Sequence, residues 1–134
     1  MNDQIEPIPK TMEKFFGTSG KMVKPSSKTL ESLIAKIPKG QISTIEDLRS
    51  RLAASFGVER ACPASTTKAL KAISREETNT PYWRVVKKKG ELISQLSIGC
   101  EGHAQKLEDE GFTIDHSKKS PVVKFNESSL YKFT

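Results

Sequence analysis

The sequence predicts a small α/β (α+β) domain of 134 residues, built from three helices followed by a β-hairpin. Amphipathic segments with helical spacing succeed one another between residues 27 and 75, and two β-prone runs then flank a basic turn at residues 87–90. The charge is uneven, because residues 60–90 hold eight Lys and Arg against two Glu while the whole chain carries +6. A local basic surface of this kind suits a polyanion, although charge alone equally allows a solvated basic face.

The first two helices are predicted from their apolar spacing and from their ends. The apolar set of the first helix, at positions i, i+3, i+4 and i+7, consists of Leu30, Leu33, Ile34 and Ile37. Pro38 and Gly40 end this helix. The run STIE at residues 43–46 fits a capping box with Ser43 as the N-cap, which opens a second helix that closes near Gly57.

The third helix and the hairpin carry the basic residues. The helix is predicted from about Ser65 to Ser74, and its apolar contacts are Ala69, Leu70, Ala72 and Ile73. The β-prone residues 82–86 and 91–93 flank a turn of three lysines and a glycine, which predicts an antiparallel hairpin with a basic tip. Two helices, a basic helix and a basic hairpin in succession are typical of a winged helix-turn-helix.

The remaining composition bounds the class of protein. Residues 1–25 contain three prolines and little periodicity, so we expect an irregular N-terminal extension followed by one domain at 26–134. No apolar run has the character of a signal peptide or a membrane span, which predicts a cytoplasmic monomer with no membrane partner. Cys62 and Cys100 are then expected to be reduced thiols. Two Cys and two His complete no four-ligand zinc pattern, and no metal or small-molecule cofactor is predicted.

Four segments, in order along the chain, resemble the DNA-binding domain of the O6-alkylguanine-DNA alkyltransferases. They are IPKGQIST at residues 37–44, ALKA at 69–72, PYWRVV at 81–86 and GHAQKLEDEG at 102–111. The third is similar to that family's reactive-site run, Pro-Cys-His-Arg-Val-(Val/Ile). The resemblance implies the winged helix-turn-helix of the alkyltransferase C-terminal domain, with a small antiparallel β wing.

The chain departs from the family at the residues that react. Tyr82 stands at the position of the family's nucleophilic cysteine and Trp83 at that of its histidine, while Glu110 matches its glutamate. A phenol with an ordinary pKa near 10 does not replace a thiolate. The comparison therefore implies that the chain is not an enzyme and has no catalytic residues; residual transfer onto Cys62 or Cys100 is the alternative.

Two further departures argue against base flipping. The family inserts an arginine from the start of its recognition helix, where this chain has Ala64, and uses a tyrosine at the start of the second helix, where it has Ile45. Arg60, in the preceding loop, is the candidate to replace the missing arginine. Because the family's reactive cysteine is replaced by Tyr82, the resemblance narrows to the alkyltransferase-like (ATL) proteins, non-enzymatic relatives that hold an alkylated guanine and flag it for nucleotide excision repair proteins.

Two sets of site residues follow. The DNA-binding set, predicted from charge and helix face, is Arg60, Ser65, Thr66, Thr67, Lys68, Lys71, Arg84, Lys87, Lys88 and Lys89. The base-pocket set, implied by the resemblance, is Pro81, Tyr82, Trp83 and Glu110. Trp83 either stacks on an extruded base or is a core residue under the wing. The expected function is non-catalytic binding of duplex DNA with sensing of alkylated guanine; the alternative is a winged-helix regulator that flips no base.

Overall fold

The chain folds as a mixture of short strands and helices, as the sequence predicts. The computed structural model describes residues 3–11, 13, 20–76, 79–117 and 119–133. The helices that build the domain are α1 (Ser27–Ile34), α2 (Ile45–Phe56), α3 (Pro63–Arg75) and α4 (Gly99–Asp109), with 3-10 turns at Tyr82–Arg84 and Glu127–Ser129. The strands are β1 (Gln4–Pro7), β2 (Lys21–Lys24), β3 (Ser43–Thr44), β4 (Arg60–Ala61), β5 (Val85–Val86), β6 (Ile114–Asp115) and β7 (Val122–Val123). Among the described residues, no helix combines the length and apolarity needed to cross a bilayer.

The strands form three small sheets. β2 pairs antiparallel with β1 and parallel with β4, so the N-terminal hairpin continues into the residues before α3. β3 and β5 are parallel partners, and β6 and β7 are antiparallel partners. This topology brings the N-terminal hairpin and the start of α3 together at one side of the domain.

The two largest clusters of buried apolar residues in the described part of the chain lie under these elements. The larger contains residues of α1, α2 and α3 together with Val23 of β2 and Tyr82. The smaller contains residues of α4 with Ile42, Val86 and Val123. Trp83 packs against both clusters. The 3-10 turn that contains Trp83 therefore links the core formed by α1, α2 and α3 to the core beneath α4.

The irregular extension predicted over residues 1–25 is corrected for the part of it that the structure describes. Gln4–Pro7 and Lys21–Lys24 form a two-stranded ladder, and Val23 is fully buried in the larger core. Asp3 fastens the start of this hairpin to α1, since its carboxylate accepts hydrogen bonds of 2.7 Å from the Ser26 amide and from the Thr29 hydroxyl. Strand pairing with β4 supplies order that the local sequence pattern does not encode.

The cap of the second helix is displaced by one residue from its prediction. Thr44, and not Ser43, is the N-cap, and its hydroxyl oxygen accepts the Asp47 amide at 3.2 Å. Ser43 is buried in β3 opposite Val85, where its hydroxyl donates to the Thr44 carbonyl. The predicted end is confirmed, because Gly57 closes α2 in the left-handed conformation.

The predicted antiparallel hairpin keeps its turn but not its strand pairing. Val85–Val86 pairs in parallel with Ser43–Thr44, and Glu91 forms an isolated bridge with Val122. The two segments on either side of the basic turn therefore pair with other parts of the chain: the first with β3 and the second with β7. The winged helix-turn-helix assignment remains a prediction at this level of detail.

Candidate nucleic-acid interface

Helix α3 separates a buried face from a basic one. Cys62 is its N-cap and Pro63 its first residue, a position where proline's fixed φ suits a helix and its missing N–H costs nothing. The face packed into the protein consists of Thr66, Ala69, Leu70, Ile73 and Ser74. Residues between these positions project outward, so Lys68 and Arg75 are exposed and Lys71 is half-buried.

An open groove runs along the outward face of α3. It encloses about 690 Å³, and its lining residues are Pro63, Ala64, Thr67, Lys68, Lys71, Arg75 and Gln95. Three of the predicted DNA-binding residues (Thr67, Lys68 and Lys71) therefore share one concave surface. Ala64, at the position of the alkyltransferases' inserted arginine, is exposed and faces the same groove. Long cations flanking such a channel can reach phosphates, while a hydroxyl and an amide can reach base edges.

Two predicted residues of α3 lie away from the groove. Thr66 is fully buried, and its hydroxyl donates a hydrogen bond of 2.8 Å to the Cys62 carbonyl. This placement conflicts with the prediction that Thr66 contacts DNA, because its position on the helix faces the core. Ser65 lines a second cavity, between α3 and the N-terminal hairpin.

Gln95 is the groove residue that sequence reasoning missed. It lies in the segment between β5 and α4 and is exposed opposite the helix face. That segment is clamped to the end of α3, since the Ser97 amide donates to the Ser74 hydroxyl oxygen at 3.0 Å and the Ser97 hydroxyl donates to the Ser74 carbonyl. No charge or periodicity signal marks a lone glutamine in a loop; only the tertiary clamp places it at the groove.

The three lysines of the basic turn are exposed. Lys87 exchanges two backbone hydrogen bonds across the turn, donating to the Glu91 carbonyl at 2.9 Å and accepting from the Gly90 amide at 2.8 Å. Gly90 adopts a φ of 86°, and the Phe125 ring and the Val123 carbonyl occupy the space that a Cβ would need. A glycine is therefore required for the turn that presents Lys87, Lys88 and Lys89 to solvent.

The guanidinium group of Arg84 is hydrogen-bonded to other groups of the protein. Its Nε and Nη2 donate to the Glu110 carboxylate at 2.9 Å and 2.7 Å, and its Nη1 donates to the Ile37 carbonyl at 2.7 Å. The exposed fractions of the Arg84 and Glu110 side chains are 14% and 8%. This geometry conflicts with the prediction that Arg84 holds a DNA phosphate, because its donors already have partners.

Glu110 accepts a hydrogen bond from the residue at the position of the alkyltransferases' histidine. Trp83 Nε1 donates to Glu110 Oε2 at 3.0 Å. Burial raises the pKa of Glu110, but the hydrogen bonds from Arg84 and Trp83 outweigh it and hold that pKa below its ordinary value. The carboxylate is thus ionised at neutral pH and joins α4 to the 3-10 turn.

The two aromatic residues of the predicted base pocket make different contacts. Tyr82 is buried in the larger core, and burial raises the pKa of its phenol. Trp83 is half-buried and meets Tyr82 edge to face, with ring centroids 5.3 Å apart. Lys106 Nζ lies 5.0 Å from the Trp83 ring centroid. Pro81 precedes both residues as the N-cap of the 3-10 turn and is half-buried.

His103 is a structural histidine. It is fully buried; its Nδ1 accepts the Ile93 amide at 3.2 Å, so Nε2 carries the proton that donates to the Trp83 carbonyl at 2.7 Å. Burial lowers the pKa of His103 to about 4, against a weaker upward effect of the Trp83 carbonyl. Cys100 lies in the first turn of α4. Within the described residues, no group of three or more His, Cys, Asp and Glu is arranged to hold a metal ion.

Arg60 lies in β4, on a different surface from the groove. It is exposed and lines a small cavity of about 130 Å³ together with Glu46 and Arg49. This position does not support the prediction that Arg60 takes the place of the arginine that the alkyltransferases insert into DNA.

Comparison with known proteins gives a structural likeness. No protein-family model matches the chain, and no curated protein does. The fold is similar to that of S. pombe Atl1 in complex with damaged DNA containing O6-carboxymethylguanine, with a TM-score of 0.58 and 23% identity. It is also similar to S. pombe ATL in complex with DNA, with a TM-score of 0.59 and 21% identity. Each match covers 79% of this chain and 94% of the other, which establishes a shared fold over most of the domain.

Proposed function

We propose that the chain is a non-catalytic protein that binds duplex DNA and senses alkylated guanine. The groove along α3 carries this proposal, because it places Lys68, Lys71 and Arg75 on one concave surface. Cations arranged along a groove neutralise successive phosphates and release the condensed counterions of the duplex. Two solved structures with a similar fold, S. pombe Atl1 and S. pombe ATL, are DNA complexes, and one of them contains O6-carboxymethylguanine.

Sensing requires a surface for the modified base, and Trp83 is the proposed one. Its indole is half-buried, and Lys106 lies over the ring on an exposed, flexible side chain. An extruded base that stacked on this ring would displace the Lys106 ammonium. Base–aromatic stacking is worth about 1–3 kcal/mol, which helps to offset the cost of unstacking a damaged base.

The absence of catalysis is part of the same proposal. Tyr82 occupies the nucleophile position, and burial raises the pKa of its phenol, so it is neutral at physiological pH. Cys62 is buried at the N-cap of α3, and Cys100 lies on α4, outside the PYWR run. A protein that holds a lesion without repairing it needs further factors, and the proposed partners are nucleotide excision repair proteins.

Affinity for matched duplexes tests the proposal. Fluorescence anisotropy would compare an unmodified duplex with the same duplex carrying one O6-methylguanine or O6-carboxymethylguanine. We expect at least severalfold tighter binding to a modified duplex, and a slope of log K against log salt of about −4 to −5 if about five phosphates are neutralised. Equal affinity for both duplexes combined with a preference for one sequence would identify a regulator, and a slope near zero would remove the electrostatic basis.

Intact-mass spectrometry tests the non-catalytic part. After incubation with a duplex containing O6-methylguanine, we expect no mass increase of the protein. An added methyl group on Cys62 or Cys100 would show that the chain is an alkyl acceptor. Cys62→Ser and Cys100→Ser variants would then identify which thiol received it.

A further inference from the structure

A second cavity opens beside the groove, between the N-terminal hairpin and α3. It encloses about 380 Å³ and is bounded by the hairpin residues Gln4, Lys24 and Pro25 on one side and by α3 on the other. Lys68 and Arg75 line both this cavity and the groove. A chain that follows the basic face of α3 can therefore pass from one concavity to the other without leaving the positive surface.

The lining of the second cavity suits a sugar–phosphate unit. Its rim bears three cations, Lys24, Lys68 and Arg75, and the hydroxyl groups of Ser27 and Ser65. Its floor includes the small apolar surface of Ala69 and Ala72. Ammonium, guanidinium and hydroxyl donors bind phosphate oxygens, while small apolar side chains allow a deoxyribose to approach closely.

The hairpin wall is held firmly against the domain. β1 and β2 share four paired positions, and β2 continues into β4 just before α3. Asp3 is hydrogen-bonded to the first turn of α1 through Ser26 and Thr29. The cavity therefore lies between two anchored elements, which lowers the entropic cost of presenting its cations.

Lys24 is the cation that the hairpin contributes, and it is restrained by a neighbour. Its ammonium lies 2.7 Å from Glu6 Oε1, with exposed fractions of 36% and 40% for the two side chains. The hydrogen bond and charge of Glu6 raise the pKa of Lys24, so the ammonium is charged at neutral pH. An exposed pair of this kind contributes little to stability, and the ammonium can transfer to a phosphate.

We propose that the second cavity binds the sugar–phosphate backbone of the DNA strand that leaves the groove, with Lys24 as its phosphate contact. The inference rests on the proposed DNA binding and extends its footprint from α3 onto the N-terminal hairpin. Its distinctive consequence is that Lys24 contributes to affinity only when the duplex is long enough to reach the hairpin. Glu6, as the competing anion, opposes that contribution.

The test measures affinity and salt slope for Lys24→Gln, Glu6→Gln and the double variant. Lys24→Gln should weaken binding and reduce the magnitude of the salt slope by about 1, whereas Glu6→Gln should tighten binding. The double variant should be weaker than Glu6→Gln alone, which isolates Lys24 from the repulsion of an unpaired Glu6. Thermal unfolding of each variant would verify that the fold is intact.

Lys21→Gln is the matched control. Lys21 lies on the same strand and undergoes the same change of charge, but it lines neither cavity. The comparison uses duplexes trimmed stepwise from either end, and the Lys24 effect should vanish on trimming from one end only. If wild type binds duplex DNA but Lys24→Gln and Lys21→Gln behave alike at every length, the footprint inference fails alone. If wild type binds no duplex at low salt, both proposals fail.

Discussion

The indole of Trp83 donates its Nε1 hydrogen bond to the carboxylate of Glu110 at 3.0 Å. Arg84, the next residue along the chain, donates to the same carboxylate from the side and reaches the Ile37 carbonyl as well. This arrangement joins the PYWR run, α4 and the segment after α1 into one polar network. The glutamate that matches the alkyltransferases' glutamate is here the acceptor for two donors, Trp83 and Arg84, that hold the scaffold together.

Trp83→Phe tests the first of these donors. The variant keeps a ring in place but removes the N–H, so the free energy of unfolding should fall by about 1.5–3 kcal/mol, as for other hydrogen bonds to charged groups. Urea unfolding followed by circular dichroism measures it. Lys106→Gln, which leaves the hydrogen bond intact and removes one of the two cations over the ring, should cost less than about 1 kcal/mol. Equal losses for the two variants would show that the indole N–H has no special role.

Arg84→Lys tests the second donor. Lysine keeps the charge but cannot span Glu110 and the Ile37 carbonyl together, and we expect a loss of about 3 kcal/mol because a buried carboxylate loses its bidentate partner. Chemical denaturation provides the measurement. Lys87→Gln, at an exposed position three residues away, should change stability by no more than about 0.5 kcal/mol. A stable Arg84→Lys protein with weakened DNA binding would restore Arg84 to the DNA-binding set.

The burial of Arg84 depends on a partner that is distant in the sequence, and local patterns do not show such partners. Local pattern predicted the helices and the basic window, because amphipathic spacing and net charge are properties of neighbouring residues. Charge counting assigned Arg84 and Lys87 to one class, since the partner that buries Arg84 lies 26 residues further along the chain. The strand structure of β1 and β2 escaped prediction for the same reason, because β2 pairs with β4, whose residues are distant in the sequence.

Two adjacent residues of α3 lie in different environments, which the charge pattern did not show. The basic face of α3 was predicted as a face, but Thr66 and Thr67 differ by one helical step, which turns one hydroxyl inward and the other into the groove. Gln95 had no sequence signal, because only the clamp between Ser74 and Ser97 places it at the groove.

Thr66→Val should therefore change the stability of the protein, and Thr67→Val should change its affinity for DNA. Thr66→Val removes a hydroxyl bonded to the Cys62 carbonyl, so it should lower the free energy of unfolding by about 1 kcal/mol and leave DNA affinity unchanged. Thr67→Val should leave stability unchanged and weaken binding. Each variant is the other's control, measured by thermal unfolding and by anisotropy. Reduced affinity in folded Thr66→Val protein would contradict the assigned geometry.

The lysines of the groove should determine its salt dependence. Lys68→Gln and Lys71→Gln each remove a cation from the lining, and each should reduce the magnitude of the salt slope by about 1 if that side chain holds a phosphate. The loss should be similar for different duplex sequences, because phosphate contacts carry no base information. Lys36→Gln, an exposed lysine that does not line the groove, is the control and should keep the wild-type slope. Unchanged slopes for both groove variants would place the DNA on another surface.

Buried His103 should make the protein sensitive to mild acid. Its pKa is lowered from 6.5 to about 4 by burial, so the unfolded chain binds a proton below pH 6.5 that the folded chain does not accept until about pH 4. The stability contributed by neutral His103 is therefore fully present above pH 6.5 and is lost as the pH falls towards 4, a total of about 3 kcal/mol. Urea unfolding at a series of pH values between 7 and 5 would show it, because the lowered carboxyl pKa values of Asp3, Glu59 and Glu110 act below this range.

The matched variants separate His103 from the other histidine. His103→Gln should be less stable than wild type at pH 7, since the ring that bonds the Ile93 amide and the Trp83 carbonyl is gone, but its stability should be nearly flat from pH 7 to pH 5. His116→Gln, which changes the exposed histidine 3.6 Å from Glu108, is the matched control. If wild type and His103→Gln lose stability in parallel over this range, the acid sensitivity does not originate at His103. The expectation that it does originate there rests on geometry, because protonation of Nδ1 removes the acceptor for the Ile93 amide.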